Sequence, residues 1–377
     1  MTEVQAPDES RGLAANQCYF ERGRVALCAL LRALKAGPAD EIIVPIYTCP
    51  AVLEPILGLG SRAVYCDIDR TTFGLSPEAL EVGLTDRTKA IIIQHTFGVP
   101  ARLDELMKAA RDRGVAILED CCHVSSSFYW GKRLGCFGDA AFYSHDWDKP
   151  LSAGGGGVAV VNSMSLAEDV QKSYSEFSDT TVREEARIVG AHAFVSIKKM
   201  ARAHWPRLAS RFYPRARGET NGDWSLALGR RLGPEYARRI SKSSDYRLRR
   251  VLKNSELRIA ARKRAIARYE SGFRAMGIEC FRIPEHCEVV LWRYPLFAGD
   301  KPRVLEEARR CGASLADWGT IPLRFLGHSG GKSSGCFPIA EEAARHVVTV
   351  TIREKQDNGD VDRTLEFLYR MKQRGLI

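Results

Sequence analysis

Lys149 stands between a short apolar strand pattern, Ala140 to Ser144, and a run of four glycines, Gly154 to Gly157. A primary amine on such a loop is a nucleophile toward carbonyl carbon and a carrier of protons, although a lysine in a loop is more often merely solvated. Asp120 closes the apolar run VAILED, residues 115 to 120, which puts a carboxylate at the carboxyl edge of a sheet. There it either pairs with a cation or caps a turn, and the residue alone does not separate the two. Gly23 opens a helical pattern, where N–H groups suit a phosphate, yet glycine before a helix is common. The glycine run reads equally as a turn between strands, and it lacks the spacing and GK[ST] ending of a P-loop.

The elements that must position these groups alternate. Gly23 to Lys35 carries Val25, Leu27, Leu30, Leu31 and Leu34 at helical spacing and stops at Gly37 and Pro38. Strand patterns follow at Glu41 to Pro45, Arg62 to Asp67, Lys89 to His95, Val115 to Asp120, Ala140 to Ser144 and Gly157 to Val161. Helical patterns fall between them at Pro50 to Leu59, Ser76 to Val82 and Leu103 to Arg113. Such alternation implies βαβ units and a largely parallel sheet covered on both faces. Ligands of such sheets bind outside the carboxyl ends of the strands, where His95, Asp120 and Ser144 fall. Leu166 to Leu232 reads as helical and basic, and Tyr236 to Met276 as a long helical region with an a/d-like series that includes Leu248, Val251, Leu252 and Leu257. Val289 to Phe297, Val304 to Cys311, Val347 to Ile352 and Val361 to Lys372 supply a small α+β unit. The expected division is a disordered lead-in over 1–16, a large domain over 17–235, and a long helix with a small domain over 236–377.

Three segments in order carry more than any one residue: GRVAL at 23–27, EDCCH at 119–123, and Ser144 to Lys149 followed by the glycine run. With DEIIVPIYTCPAV, AVYCDIDRTTFGL, TDRTKAIIIQHTFGVPARLDEL, AILEDCCHVSSSFYWGKRLGCFGDAAFYS and GGGGVAVV, the chain resembles the DegT/DnrJ/EryC1/StrS family of pyridoxal-phosphate (PLP) sugar aminotransferases. CGASLADWGTIPLR and CFPIAEEAARHVVTVTIRE look like that family's small domain, so the likeness runs from about residue 20 to 368. It implies the type I PLP-transferase fold, an α/β architecture with a mostly parallel seven-stranded sheet between helices. It also implies roles. Lys149 matches the Schiff-base lysine and proton shuttle, and Asp120 the partner of the pyridinium nitrogen. His123 matches a residue near the ring and its phenolate oxygen, Ser144 a phosphate-binding serine, and Gly23 and Arg24 the loop whose backbone cups the phosphate. His95, Phe97 and Gly98 match a strand end at the pocket floor, with a neutral core histidine as the other reading of His95.

The sequence also departs from the family. Cys49 stands where relatives carry an aromatic that stacks on the cofactor ring, with Tyr47 as a candidate substitute. The glutamate of the GEGG element is missing. GPEYARRISKSS, at 233–244, lacks the asparagine that relatives lend to the partner subunit's site, leaving Arg238 or Arg239 as alternatives. The resemblance implies amino transfer from a donor such as glutamate to a keto group, typically of a nucleotide-linked sugar, in a homodimer. Dehydratase chemistry is the alternative enzymatic outcome, but relatives of that kind replace the lysine with histidine. A regulatory protein that keeps the fold is the non-enzymatic alternative. No GxGxxG follows the first strand, which argues against a dinucleotide-dependent dehydrogenase.

With 45% hydrophobic and 27% charged residues, the composition is that of a folded globular chain. No window is apolar for as long as a membrane-spanning helix requires, and the polar N-terminus does not read as a secretory signal. Eleven cysteines, odd in number and irregular in spacing, read as reduced thiols of a cytoplasmic protein, and the absence of paired CxxC units argues against a metal site. The net charge of +10 is concentrated between Arg183 and Arg264 and reads first as a solvated basic face. Nucleic acid is not an expected partner. Contact with an anionic membrane surface, through Ala201 to Arg217, is the lesser alternative.

Overall fold

The computed structural model describes residues 16–204, 232–318, 332–333, 336–353 and 358–377. The lead-in expected over 1–16 lies outside the described residues apart from Asn16, and so does most of the basic aromatic stretch 201–217.

The first half folds as its alternation dictates. β1 (Gln17–Phe20) leads into α1 (Gly23–Ala33), followed by β2 (Glu41–Pro45), α2 (Leu53–Gly58), β3 (Arg62–Cys66), α3 (Pro77–Gly83), β4 (Thr88–Gln94), α4 (Leu103–Asp112) and β5 (Ala116–Asp120). A two-strand hairpin, β6 (Phe128–Tyr129) and β7 (Lys132–Arg133), precedes β8 (Ala140–Ser144) and β9 (Gly157–Val161). Strands β2, β5, β8 and β9 are apolar on both faces and almost wholly buried, the signature of a sheet sandwiched between helices. The sheet order is β1-β9-β8-β5-β4-β2-β3-β13. β9 alone runs antiparallel to its neighbours β1 and β8. Six of these strands are those read from the sequence, β1 brings the number to the seven that the family resemblance implies, and the eighth, β13 (Lys332–Ser333), pairs in parallel with the outer edge of β3.

Helix ends follow local chemistry. Ser76 caps α3, its hydroxyl accepting from the Ala79 N–H at 3.2 Å, and Pro77 occupies the first turn. α1 is buried at nine of its eleven positions, so it lies within the core with its N-terminus at the carboxyl edge of the sheet. Each fully buried Leu or Val there contributes about 1.5–3 kcal/mol of burial energy, which fixes the helix against β8 and β9.

The second half contains α5 (Met164–Ser175), α6 (Val182–His204), α7 (Lys242–Lys253) and α8 (Ser255–Ala275). The long helical region thus breaks at Asn254, and the expected inward series ends with it: Leu248 and Val251 are buried, whereas Leu257 is exposed. A three-stranded sheet, β11 (Arg293–Phe297), β14 (Val347–Thr351) and β12 (Leu315–Ala316), packs with α9 (Lys301–Cys311), α10 (Pro338–His346) and α11 (Asn358–Gln373). Sequence reading missed β1, the β6–β7 hairpin and its partner β10 (Cys287–Glu288), all too short to show a period. The Trp292 N–H donates to the Phe97 carbonyl at 2.7 Å, carrying the small sheet onto the carboxyl edge of the large one.

Candidate active site

Asp120 ends β5, and its carboxylate accepts from the Cys122 N–H at 2.9 Å. Burial pushes its pKa up from the ordinary carboxylate value, against the pull of that hydrogen bond and of Lys149. A buried carboxylate of this kind is completed by a cationic partner. Three residues beyond Asp120, the backbone turns His123 into the same space. His123 is 4% exposed, its Nδ1 is buried without a hydrogen-bond partner, and burial, with Lys149 and Arg293 nearby, holds it well below the ordinary histidine pKa. It is therefore neutral.

Lys149 follows the loop after β8 and enters this space. Burial pushes its ammonium pKa down, while Asp148, Cys122, Cys49 and Asp120 push it up and prevail. Its Nζ lies 4.9 Å from the centre of the Trp292 ring. Trp292, absent from the sequence reading, stacks on His123 with centroids 3.9 Å apart and planes 20° apart, and its Nε1–H donates to the Asp148 carbonyl at 2.6 Å. The Arg293 guanidinium lies 4.4 Å from the same ring. Neither residue could be found by periodicity, because Trp292 precedes and Arg293 opens a strand of the small sheet, far from Lys149 in sequence.

Gly23 sits at the first turn of α1, which has no side-chain cap. A Cβ on Gly23 would lie 2.8 Å from Ser144 Cβ and 3.3 Å from its Oγ, and one on Gly157 would strike Gly23 N at 2.6 Å. The N-terminus of α1, the Ser144 side chain and Gly157 therefore pack too closely to admit a side chain on either glycine, which sets the free N–H groups of a helix start beside a hydroxyl, a pairing suited to phosphate. The side chain of Arg24 is turned elsewhere: one terminal nitrogen donates to both Glu54 oxygens at 2.7 Å, and Glu54 also accepts from Tyr236 at 2.5 Å. Arg24 offers this helix start backbone, not charge.

Cys49 adjoins Lys149, whose charge opposes the effect of burial on the thiol. Tyr47, the candidate substitute, is engaged with the small domain. It is fully buried, its hydroxyl donates to the Trp318 carbonyl at 2.9 Å, and its ring meets Trp318 edge-on at 5.1 Å. His95 supports the floor: Nδ1 accepts from the Ala101 N–H at 3.3 Å, so Nε2–H donates to Glu119 at 3.0 Å. Glu119 also accepts from Gly135, Phe137 and Gly138 N–H groups, which pins the loop after β7. Phe97 and Gly98 have φ of 58° and 90°, and a Cβ on Gly98 would press on the His123 and Val290 carbonyls at 3.0 Å. Arg238 and Arg239 turn to their own chain, pairing with Glu184 at 3.2 Å and Asp179 at 3.1 Å. Beside the lysine loop lies a cavity of about 830 Å³ whose lining includes Arg22, Trp147, Arg187, His192, Arg238 and Arg247.

A profile of the DegT/DnrJ/EryC1/StrS aminotransferase family matches residues 18–202, the stretch that contains Gly23, Asp120, His123, Ser144 and Lys149. Over that stretch the chain matches the model of this family. Among curated members, it is 38% identical over 139 residues to the UDP-N-acetyl-3-dehydro-α-D-glucosamine 3-aminotransferase of Acidithiobacillus ferrooxidans, covering 37% of this chain and 38% of that one. It is 35% identical over 144 residues to the GDP-perosamine synthase of Escherichia coli O157:H7, covering 38% and 40%. The match thus spans about two fifths of each of these two relatives. Solved structures extend the likeness in fold across both halves. The aminotransferase TlmJ of Streptoalloteichus hindustanus superposes with a TM-score of 0.73 at 21% identity, covering 96% of this chain and 86% of that one. A protein assigned as a sugar aminotransferase of Streptococcus pneumoniae, solved in PLP and PMP forms, gives 0.73 at 20% and 19% identity, covering 96% and 88%. The fold is that of the family's aminotransferases. All eleven cysteines are free thiols, and among the described residues no helix is long and apolar enough to cross a membrane.

Proposed function

We propose that this chain is a PLP-dependent aminotransferase that moves an amino group from a donor such as glutamate to the keto group of a nucleotide-linked sugar. The observation that carries the reading is the grouping of Lys149, Asp120 and neutral His123 beside the Gly23–Ser144 pairing. These residues fit the cofactor. The uncapped helix start at Gly23, beside the Ser144 hydroxyl, would take a phosphate, the buried carboxylate of Asp120 would take a pyridinium nitrogen, and the orphaned His123 Nδ1 would meet a polar ring substituent. When bound, PLP supplies an electron sink for charge developing on the substrate carbon.

The protein's part is positional and acid–base. Lys149 anchors the cofactor through Nζ and, once displaced, holds the proton that moves between substrate and cofactor carbons. Asp120, ionised against a cation, keeps that cation protonated. His123 is uncharged and serves as a hydrogen-bonding and packing surface, not as an acid. The cavity beside the lysine loop mixes Arg22, Arg187, Arg238 and Arg247 with Glu21, Glu184 and Glu235, so the phosphate-bearing acceptor rests on the names of the UDP- and GDP-sugar relatives. A homodimer of cytoplasmic chains, each with a large domain over 17–235 and a small one over 236–377, completes the proposal.

The test is the near-visible absorbance of the purified protein with added PLP, compared between wild type and Lys149→Ala. The expected band is present in wild type, lost in the variant, and bleached by L-glutamate. No band in wild type overturns the cofactor assignment. A band that L-glutamate leaves intact, with other amino donors equally inert, overturns amino transfer.

A further inference from the structure

Among the described residues, α6 is fastened to the protein by one face. On that face the Glu184 carboxylate pairs with Arg238 at 3.2 Å, and the Glu185 carboxylate accepts from the Lys242 and Ser243 N–H groups at 3.1 Å and 2.9 Å. The His192 ring meets Trp147 of the lysine loop at 4.7 Å, and Ile188 and Val195 line the cavity beside that loop. All five of these helix residues are only half-buried, and none between 182 and 197 is buried. On the opposite face Val182, Ala186, Val189, Ala193 and Ile197 recur at steps of three and four residues, which lines them up along the helix. Every one is exposed, Val182 at 89%, Val189 at 47% and Ile197 at 56%. A surface helix normally turns such a stripe toward the core; α6 turns its acids inward and its apolar stripe outward. Beside the stripe stand Arg183 and Arg187, both exposed, and α6 has no acid other than Glu184 and Glu185. The sequence keeps this sign from 198 to 217, with seven lysines and arginines, no acid, and Trp205, Phe212 and Tyr213.

We propose that the outer face of α6 docks on an anionic membrane surface. The helix lies in the plane of the interface, with Val182, Val189 and Ile197 at the acyl boundary and Arg183 and Arg187 among the headgroup phosphates. An apolar stripe with basic flanks is the combination that binds such a helix, and anionic lipid supplies the charge that complements it. Nucleic acid would be met by charge without the stripe. A second copy brought onto this face by a two-fold axis would set a rim of arginines against the same rim. The contact is peripheral, since no helix among the described residues is long and apolar enough to cross a membrane. Because α6 also walls the cavity beside the lysine loop, docking would hold that cavity at the membrane surface. The proposal goes beyond the aminotransferase reading and does not depend on it.

Co-sedimentation of the full chain with lipid vesicles tests it, using phosphatidylcholine alone and equal parts of phosphatidylcholine and phosphatidylglycerol. Wild type should bind the mixed vesicles and leave the phosphatidylcholine vesicles largely unbound. The double variant Val189→Asp with Ile197→Asp should lower the bound-to-free ratio by on the order of tenfold or more, because both sites would sit in the acyl boundary. Arg183→Gln with Arg187→Gln should lower it by on the order of tenfold, and added salt should lower it further. Val189→Leu with Ile197→Leu, which keeps the apolar face, should bind as wild type does and guards against an effect of misfolding. Wild type that ignores the mixed vesicles overturns the proposal. Binding that the double aspartate variant keeps in full overturns it as well, and assigns the lipid contact to basic residues elsewhere. Sedimentation equilibrium supplies the remaining arm: wild type that self-associates and ignores vesicles, with an aspartate variant that is monomeric, assigns the face to a second copy and overturns the membrane.

Discussion

The indole of Trp292 lies face to face with the imidazole of His123, ring centres 3.9 Å apart and planes 20° apart. The flat surface that relatives place after the threonine of the β2 loop is missing at Cys49, and the flat surface beside Lys149 comes instead from the first residues of the small sheet. Arg262 holds it there, donating through one terminal nitrogen to the Trp292 carbonyl at 2.5 Å and through the other to the Ile352 carbonyl at 3.0 Å.

If Trp292 holds His123 in place beside the cofactor by stacking on it, Trp292→Ala should weaken PLP binding about tenfold, since an offset aromatic pair is worth about 0.5–1.5 kcal/mol beyond its buried area. Trp292→Phe should retain most of the affinity. Equilibrium titration of the near-visible band measures both. An alanine variant that binds PLP as wild type does would leave the stack as packing alone.

Gly23→Ala separates the phosphate contact from the rest of the site. In an ordinary helix such a change is neutral or stabilising, but here the new methyl would sit 2.8 Å from Ser144 Cβ. PLP affinity should fall by on the order of tenfold or more, the loss of one or two charge-assisted hydrogen bonds. Affinity for pyridoxal, which has no phosphate, should be unchanged. Equal losses for both would place the phosphate elsewhere.

Asp148 sets the pH at which Lys149 becomes reactive. Only the neutral amine attacks a carbonyl, and acidic neighbours, Asp148 foremost, hold the Lys149 pKa above its ordinary value against burial. Removing that charge leaves burial to favour the neutral form. Asp148→Asn should therefore shift the pH profile of PLP capture toward lower pH, by on the order of one unit for each 1.4 kcal/mol of lost interaction. Stopped-flow capture rates across pH measure the shift, and an upward move would contradict the sign.

What the sequence made legible follows physical range. The strands of the large sheet were readable because burial on both faces leaves uninterrupted apolar runs, and Asp120, Ser144 and Lys149 lie at the ends of those runs. Gly23 was readable because a helix start has local chemistry. Trp292 and Arg293 were not, since they reach Lys149 only through the docking of a second sheet. Nor was the direction of Arg24, which depends on Glu54 in a separate helix. Tyr47 stays only a candidate from sequence, because strand alternation does not show that its hydroxyl donates to Trp318, 271 residues away.

Glu119 gives the sharpest test of the support beneath the site. Its two oxygens accept from His95 Nε2–H and from three backbone N–H groups, at Gly135, Phe137 and Gly138. Burial alone would push its pKa up, but the His95 bond and the backbone N–H groups hold it below the ordinary glutamate value. Glu119→Gln puts an NH₂ group where acceptors are needed, leaving at least one buried N–H without a partner. The expected loss is about 2–4 kcal/mol, seen as a lower urea midpoint at unchanged slope. The pH dependence has a definite sign. A carboxylate with a depressed folded pKa contributes its full stability above the unfolded value of about 4.3 and loses it as pH falls through the folded value. The gap between wild type and Glu119→Gln should therefore be widest near neutral pH and close below about pH 4. A gap that stays constant into acid would mean that Glu119 is held by shape and not by its charge.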